Sequence, residues 1–335
     1  MDEFITMDHG SGGVKTSELS DEIMKPAFAN ATLDALGDGA LLQSPGQRLA
    51  FSTDSFVVQP VFFPGGDIGK LAVCGTVNDL AMCGAEPKWL SLSMILEEGL
   101  PMDTLRRVVD SIAQTAKGAG VEIVTGDTKV VERGHGDGIY LNTAGVGVVQ
   151  CEGLTPDAIR EGDKVLVTGP VGDHGAAVML ARHSQLVEGE LRSDCAALHE
   201  VALALGRELG SDLRVLRDPT RGGVGTTLCE FVEGTSLSIE LEEEDIPVSE
   251  SVESACDILG LDPLYCANEG KLLAVVAPEK AEKALEILRS FPEGENAAII
   301  GEVTEAHAGK VLLRSSFGGS RIVSKLAGAQ LPRIC

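Results

Sequence analysis

"DIGKLAVCGTVNDLAMCGA", residues 67–85, is apolar over most of its length yet carries a carboxylate, Asp79, in its interior. Its apolar periodicity and freedom from proline predict a buried helix. The stretches on either side, "RLAFSTDSFVV" (48–58) and "KWLSLSMIL" (88–96), read as strands. A buried carboxylate is costly unless something compensates it, so Asp79 asks for a partner.

Working outward, "MDTLRRVVDSIAQTAKGAG" (102–120) predicts a second helix with a glycine stop. "VEIVTGDTKVV" (121–131) and "GIYLNTAGVGVVQ" (138–150) predict further strands. Upstream, the first forty residues are polar and Gly-rich and read as a mobile arm, with a short helix around "KTSELSDEIMKPAF" (15–28). A second unit opens near "LTPDAIREGDKVLVTGPVG" (154–172). It carries a strand at 164–168, helices at about 173–182 and 194–209, and a Gly-rich turn in "RDPTRGGVGTTLCEF" (217–231). Strand "LSIEL" (237–241), helix "SESVESACDILG" (249–260), strand "GKLLAVVA" (270–277), helix "PEKAEKALEILRSF" (278–291) and closing strands follow. Strands and helices interspersed in both halves predict two α+β domains. The expected limits are an arm (1–37), an N-terminal mixed-sheet domain (38–152), a C-terminal α/β-type sandwich (153–327) and a flexible tail (328–335).

The 335 residues carry 27 basic and 51 acidic side chains, a formal charge of −24, which argues against non-specific nucleic-acid or anionic-membrane binding. None of the eight cysteines forms a CxxC pair, and "LHEVALAL" (198–205) has Leu203 where a zinc-protease helix needs its second histidine. With no signal-peptide pattern and no apolar run of membrane-spanning length, a cytoplasmic protein with mostly buried thiols is expected. The last residue, Cys335, stands too near the end for prenylation.

Four short motifs carry acids: "GDGA" (Asp38), "STDSF" (Asp54), "VNDLAMCGA" (Asp79) and "TGDTKVV" (Asp127). Each Asp alone reads equally well as the cap of a helix or turn. Several carboxylates converging on one place need a cation, and Mg²⁺ with substrate phosphates suits such oxygen donors. Three Gly-rich loops, "DHGSGG" (8–13), "TGPVGDHG" (168–175) and "DPTRGGVG" (218–225), would let backbone N–H groups approach phosphate. None is a P-loop or a Rossmann fingerprint. Lys129 follows Asp127 by two residues and leaves the strand on the same face. "CANEGKLL" (266–273) puts Glu269 just before an apolar strand. Lys129 and Glu269 read either as charge stabiliser and general base beside phosphate or as ordinary salt-bridge partners.

With these motifs assembled, the chain resembles the ATP-dependent family of aminoimidazole ribonucleotide synthetase, selenophosphate synthetase and thiamine-monophosphate kinase. Within it, the chain is most similar to the carbamoyl dehydratases of nickel–iron hydrogenase maturation. The likeness runs from "MDHGSGG" through "GDGA", "VNDLAMCGA", "TGDTKVV", "GDHGAA", "RDPTRGG" and "NEGKL" to the terminal "PRIC", essentially the whole chain. It implies a homodimer with ATP and Mg²⁺ in a groove near the dimer interface of the N-terminal domains. It further implies that the carbamoyltransferase HypF loads a carbamoyl group onto the Cys335 thiol. ATP-dependent dehydration would give a thiocyanate, and the cyano group would pass to iron on the HypC–HypD scaffold. Carried onto this sequence, Asp38, Asp54, Asp79 and Asp127 would hold Mg²⁺–ATP, with Asn78 beside them. Gly10, Gly12 and Gly13 would close the arm over the phosphates, and Asp218 and Arg221 would assist with phosphate or metal. Lys129 and Glu269 would orient the carboxamide and accept its protons.

Residues 328–335 span at most roughly 28 Å when extended, enough to swing between a loading position and an enclosed site, with Pro332 stiffening the end. The terminal carboxylate is expected to raise the Cys335 pKa and Arg333 to offset the rise, a balance the sequence leaves open. Two other readings stand beside the dehydratase: a small-molecule kinase of the same family, in which Cys335 plays no part, and a carrier that merely presents its thiol.

Overall fold

The computed structural model describes residues 3–6, 20–30, 46, 48–182, 191–326 and 333–335. Gly10, Gly12, Gly13, Asp38 and Pro332 lie outside the described residues. Of the helix expected over 15–28, the described part is a π-turn (Ser20–Met24) leading into α1 (Lys25–Phe28).

The first half builds a four-stranded sheet from β1 (Leu49–Phe56), β4 (Ala85–Glu97), β5 (Glu122–Val131) and β6 (Ile139–Val149). Its order is β1-β6-β4-β5, antiparallel except for the β4–β5 pair. A small hairpin, β2 (Phe62–Phe63) with β3 (Gly66–Asp67), leads into α2 (Ile68–Met82), and α3 (Met102–Gly118) joins β4 to β5. Asp67 starts α2: its Oδ1 accepts the N–H groups of Gly69 (2.7 Å) and Lys70 (3.2 Å), two donors the first helical turn otherwise leaves unpaired. Thirteen of its fifteen residues are buried, because α2 lies between the sheet and α3. The α3 helix buries one stripe only, Met102, Leu105, Val108, Val109, Ile112 and Ala116, at helical spacing. Both helices cover the same face. Inward residues such as Leu92, Met94 and Leu141 are buried, while Leu49, Phe51 and Ile95 on the other face are 44%, 71% and 41% exposed.

The second half forms a seven-stranded sheet of order β13-β12-β9-β11-β7-β10-β8. Its elements are β7 (Lys164–Val167), α4 (Asp173–Arg182), α5 (His199–Leu209), β8 (Leu213–Arg217), α6 (Gly223–Val232), β9 (Ser238–Glu242) and α7 (Glu250–Leu259). They continue with β10 (Leu273–Val276), α8 (Ala281–Arg289), β11 (Ala298–Thr304), β12 (Val311–Arg314) and β13 (Ser320–Val323). Apolar clusters lie on both faces: Val165, Val167 and Val275 pack with α6 on one, Leu166, Leu216 and Ala274 with α5 and α8 on the other. Ala81 and Met82 of α2 join the second cluster, so α2 packs into both halves.

The Gly-rich turn expected in 217–231 lies between β8, which ends at Arg217, and α6, which starts at Gly223. One expectation needs correction. The helix expected over 194–209 starts only at His199, because residues 194–198 serve the site described below. Among the described residues no helix is long and apolar enough to cross a membrane.

Candidate functional site

Where β1, α2 and the turn between β8 and α6 meet, a cavity of about 720 Å³ opens, within the usual range for small-molecule sites of about 300–1,000 Å³. Its walls include Ser52, Asp54, Asp79, Arg217, Asp218 and Arg221. The Ser52 hydroxyl donates to Asp79 Oδ2 (2.6 Å), and Arg221 Nη2 donates to Asp54 Oδ1 (3.2 Å). Burial, with the Asp54 charge adding, raises the Asp79 carboxyl, and burial beside Asp79 pushes Asp218 up to about 7. Asp79 and Asp218, whose ionisation is opposed by burial and neighbouring charge, suit a bound cation with Asp54 beside them. Among the described residues no three acidic, His or Cys side chains come close enough to hold an ion unaided. A divalent ion would therefore complete its shell with phosphate oxygens or water, and Arg217 and Arg221 add positive charge for such phosphates. Mg²⁺–ATP fits this donor set.

Glu269 lies behind that cavity, 2% exposed, and among the described residues its Oε1 has no hydrogen-bond partner. Burial, with the charges of Asp218, Asp194 and Asp54, raises its carboxyl well above the usual range. Its backbone is clamped. Glu269 N–H donates to Asp194 Oδ1 (3.1 Å), and its carbonyl accepts from Ala196 N (3.3 Å) and Asn78 Nδ2 (3.4 Å). Gly270 makes this approach possible, since a Cβ there would lie 1.8 Å from the Asp194 carbonyl oxygen. Asn268 ties three loops together: Oδ1 accepts Gly172 N–H (2.7 Å), and Nδ2 donates to the carbonyls of Pro219 (3.2 Å) and Cys266 (3.1 Å). The "GDHG", "DPTRGG" and "NEGK" motifs are thus brought side by side.

The C-terminal residues dock against this group. Ile334 is buried in the N-terminal core beside Cys74, Cys195 and Ala267, with Cys335 packed on the same cluster. The Cys335 carbonyl accepts Val57 N–H (3.2 Å) and the Arg333 carbonyl accepts Gln59 N–H (3.2 Å), so the tail runs antiparallel beside residues 57–59. Burial and then Glu269 push the Cys335 thiol up to about 12, with Arg221 opposing. The expected offset from Arg333 is not what the structure has: Arg333 pairs with Asp137, and Arg221 supplies the opposing charge.

Asp127 and Lys129 leave β5 on one face, as expected, and pair with each other (3.3 Å), both side chains at least 60% exposed. Contrary to the expectation of a single converging group, that face is the one away from α2 and α3. Asp127 is in register with Ser93, Asn142 and Ser55, so it stands three strands from β1, roughly 14 Å away, while Asp54 points toward α2. Within one chain neither residue reaches the cavity or Glu269. The Asn78 side chain also turns from the cavity: it donates to the Ala196 and Glu269 carbonyls and accepts Leu198 N–H (2.8 Å). Ser52, Asp194 and Arg217 were missed by sequence reasoning, and nothing in their local pattern marks them out.

Two family descriptions match the chain: the N-terminal domain of AIR synthase related proteins over residues 36–149 and their C-terminal domain over residues 160–314. The carbamoyl dehydratase HypE of Azotobacter vinelandii is 48% identical over 332 residues, 99% of this chain and 97% of that protein. That of Escherichia coli K12 is 47% identical over 337 residues, 99% of each. A crystal structure of HypE in complex with ATP superposes with a TM-score of 0.94 at 48% identity, covering 98% of this chain and 99% of that one. HypE from a HypE–HypF complex gives 0.80 at 47% identity, covering 92% and 99%. A thiamine-monophosphate kinase from Aquifex aeolicus, at 19% identity and a TM-score of 0.63, shares the fold alone. The chain belongs to the AIR synthase related family and, within it, to the HypE carbamoyl dehydratases.

Proposed function

We propose that the protein is an ATP-dependent carbamoyl dehydratase acting on its own C-terminus. The reaction converts Cys335–S–C(=O)–NH₂ and ATP to Cys335–S–C≡N, ADP and phosphate; the carboxamide oxygen leaves with the phosphate and both protons leave the nitrogen. The observation that carries this reading is a docked Cys335 beside a buried Glu269 carboxylate, with Asp54 and Arg221 shared between thiol and cavity.

Bound Mg²⁺–ATP would supply the phosphoryl group that makes the carboxamide oxygen a leaving group. Asp54 and Asp79, with Asp38, would hold the cation; Asp218 and Arg221 would bind phosphate or metal, and Gly10, Gly12 and Gly13 would close over the phosphates. Glu269, whose burial raises its carboxyl well above the usual range and makes the ionised form a stronger base, accepts a proton from the carboxamide nitrogen. Enclosure keeps water from the activated group. The arm (1–37), the two domains (38–152 and 153–327) and the tail (328–335) are the working parts.

The uncovered face of the first sheet, bearing Leu49, Phe51 and Ile95, supports a homodimer. A two-fold axis through that sheet sets β5 of one copy against β1 of the other. Asp127 and Lys129 then serve the second copy's cavity, as cation ligand and carboxamide orienter. HypF is the carbamoyl donor and the HypC–HypD scaffold the acceptor of the cyano group, in the cytoplasm, where eight free thiols are at home. A kinase of the same fold would need room for a second substrate where Cys335 sits, which disfavours that reading.

The test is intact mass after loading by the cognate carbamoyltransferase, before and after Mg-ATP, with Cys335→Ala alongside. Gain of one carbamoyl group followed by ATP-dependent loss of one water, both absent in the variant, is the expected result. A loaded tail that ATP leaves unchanged makes the protein a carrier, and no loading by an active transferase returns the kinase reading.

A further inference from the structure

His174, the second residue of α4, is wholly buried, and no step of the proposed chemistry uses it. Its Nε2 lies 2.7 Å from the Ile334 carbonyl oxygen, which can only accept, so Nε2 carries the proton. Nδ1 then accepts from the Ser193 hydroxyl (2.8 Å), whose oxygen in turn accepts Cys195 N–H (3.1 Å). The ring is held further by the edge of Phe63, with centroids 5.5 Å apart and planes at 84°. Ser193 is itself fixed by its N–H to the Pro64 carbonyl (2.8 Å). Gly65, at φ +94°, permits that contact, since a Cβ there would lie 2.5 Å from the Ser193 carbonyl oxygen.

On the opposite side, the carbonyls of Arg333 and Cys335 face the N–H groups of Gln59 and Val57. The Arg333 carbonyl also accepts from Arg182 at the far end of α4, and the Ile334 carbonyl between them is taken by the imidazole. Arg333 adopts φ 56°, a left-handed conformation disfavoured for any residue with a Cβ and kept only where surrounding contacts impose it.

We infer that His174 is the positioning residue that latches the tail in its docked state. Its N–H holds the Ile334 carbonyl at the N-terminal end of α4, and so sets how far Cys335 reaches toward Glu269. This rests on the dehydratase reading in one respect: the docked state is the dehydrating one, and loading takes place on the released tail.

The experiment uses the full-length protein as wild type, His174→Phe, which keeps a ring but removes the N–H, and His174→Gln, whose amide N–H reaches the same place. Iodoacetamide labelling of Cys335 is followed by mass of the C-terminal peptide, with Cys229, buried in the cluster of the second sheet, as internal reference. The Phe variant should label Cys335 roughly three- to tenfold faster, the range one neutral hydrogen bond supplies. Carbamoyl loading should be no slower while ATP-driven loss of water slows by a similar factor. The Gln variant should return all three rates to near wild type. Unchanged Cys335 labelling in the Phe variant overturns the latch. So does labelling that rises equally at Cys229, which marks a merely structural ring. A wild-type protein that loads but never loses water refutes the dehydratase reading alone, and the labelling rates still decide the latch.

Discussion

The two sheets solve burial differently. In the second, β10 is buried at every position and β7 at three of four, because helices pack on both faces. In the first, β6 alternates between buried and half-buried residues over most of its length, because α2 and α3 cover one face only. A strand covered twice reads as an unbroken apolar run, and one covered once reads as an alternation. The difference separates a sheet closed on both faces from one whose outer face is open, the face on which the proposed dimer is built.

The strongest way to probe the junction of the two halves is Glu269→Gln. Loss of the proton acceptor should slow ATP-dependent loss of water from the loaded tail roughly 10²- to 10⁴-fold while loading persists, measured by intact mass over time. Equal rates in variant and wild type would remove Glu269 from the chemistry. Next comes the contrast between sheets. Leu166→Ala, in the doubly covered sheet, should cost about 2–5 kcal/mol of stability in denaturant unfolding. Phe51→Asp, on the uncovered face, should leave the fold intact yet weaken self-association by about tenfold or more in sedimentation velocity. A Phe51→Asp protein that remains fully dimeric would break the comparison.

The smallest effect concerns Asp173, raised from 3.8 to about 6 by burial and by Asp194. Between those values the unfolded chain has released a proton that the folded one retains. Stability therefore falls as pH rises through this window, and the full penalty stays above it. Asp173→Asn should gain about 1 kcal/mol at neutral pH, a figure reduced for the side chain's partial exposure, and nothing below about pH 4. Thermal melts at both pH values check it; an equal gain at each would mean the carboxyl's charge is not the cause.

The alternating strands and α3 of the first half were legible because each follows one simple period, and α2 because it is a long apolar run. β8 was not: "LRVLR" carries Arg214 as its second residue, and that buried arginine pairs with distant Asp163 at 3.2 Å. The α6 helix hid behind its glycines, yet a Cβ on Gly223 would lie 2.5 Å from the Leu264 carbonyl oxygen, so the glycine there is demanded by packing. Asp54, Asp79, Asp218, Arg221, Glu269 and Cys335 were read as candidates and lie together. For Asp127 and Lys129, spacing gave a shared face but not which one, because the choice depends on helices from elsewhere in the chain. His174 lay within a quoted motif, but its partner is 160 residues away and no local pattern announces it.

The opposite facing of Lys129 and Glu269 has a genetic consequence. On the proposed action of Lys129 in the second copy, a chain lacking it still offers a sound Glu269, and a chain lacking Glu269 still lends a sound Lys129. Two inactive alleles, Lys129→Ala and Glu269→Gln, should then complement when coexpressed: random pairing makes half the dimers mixed, each with one intact site, for about a quarter of the normal rate.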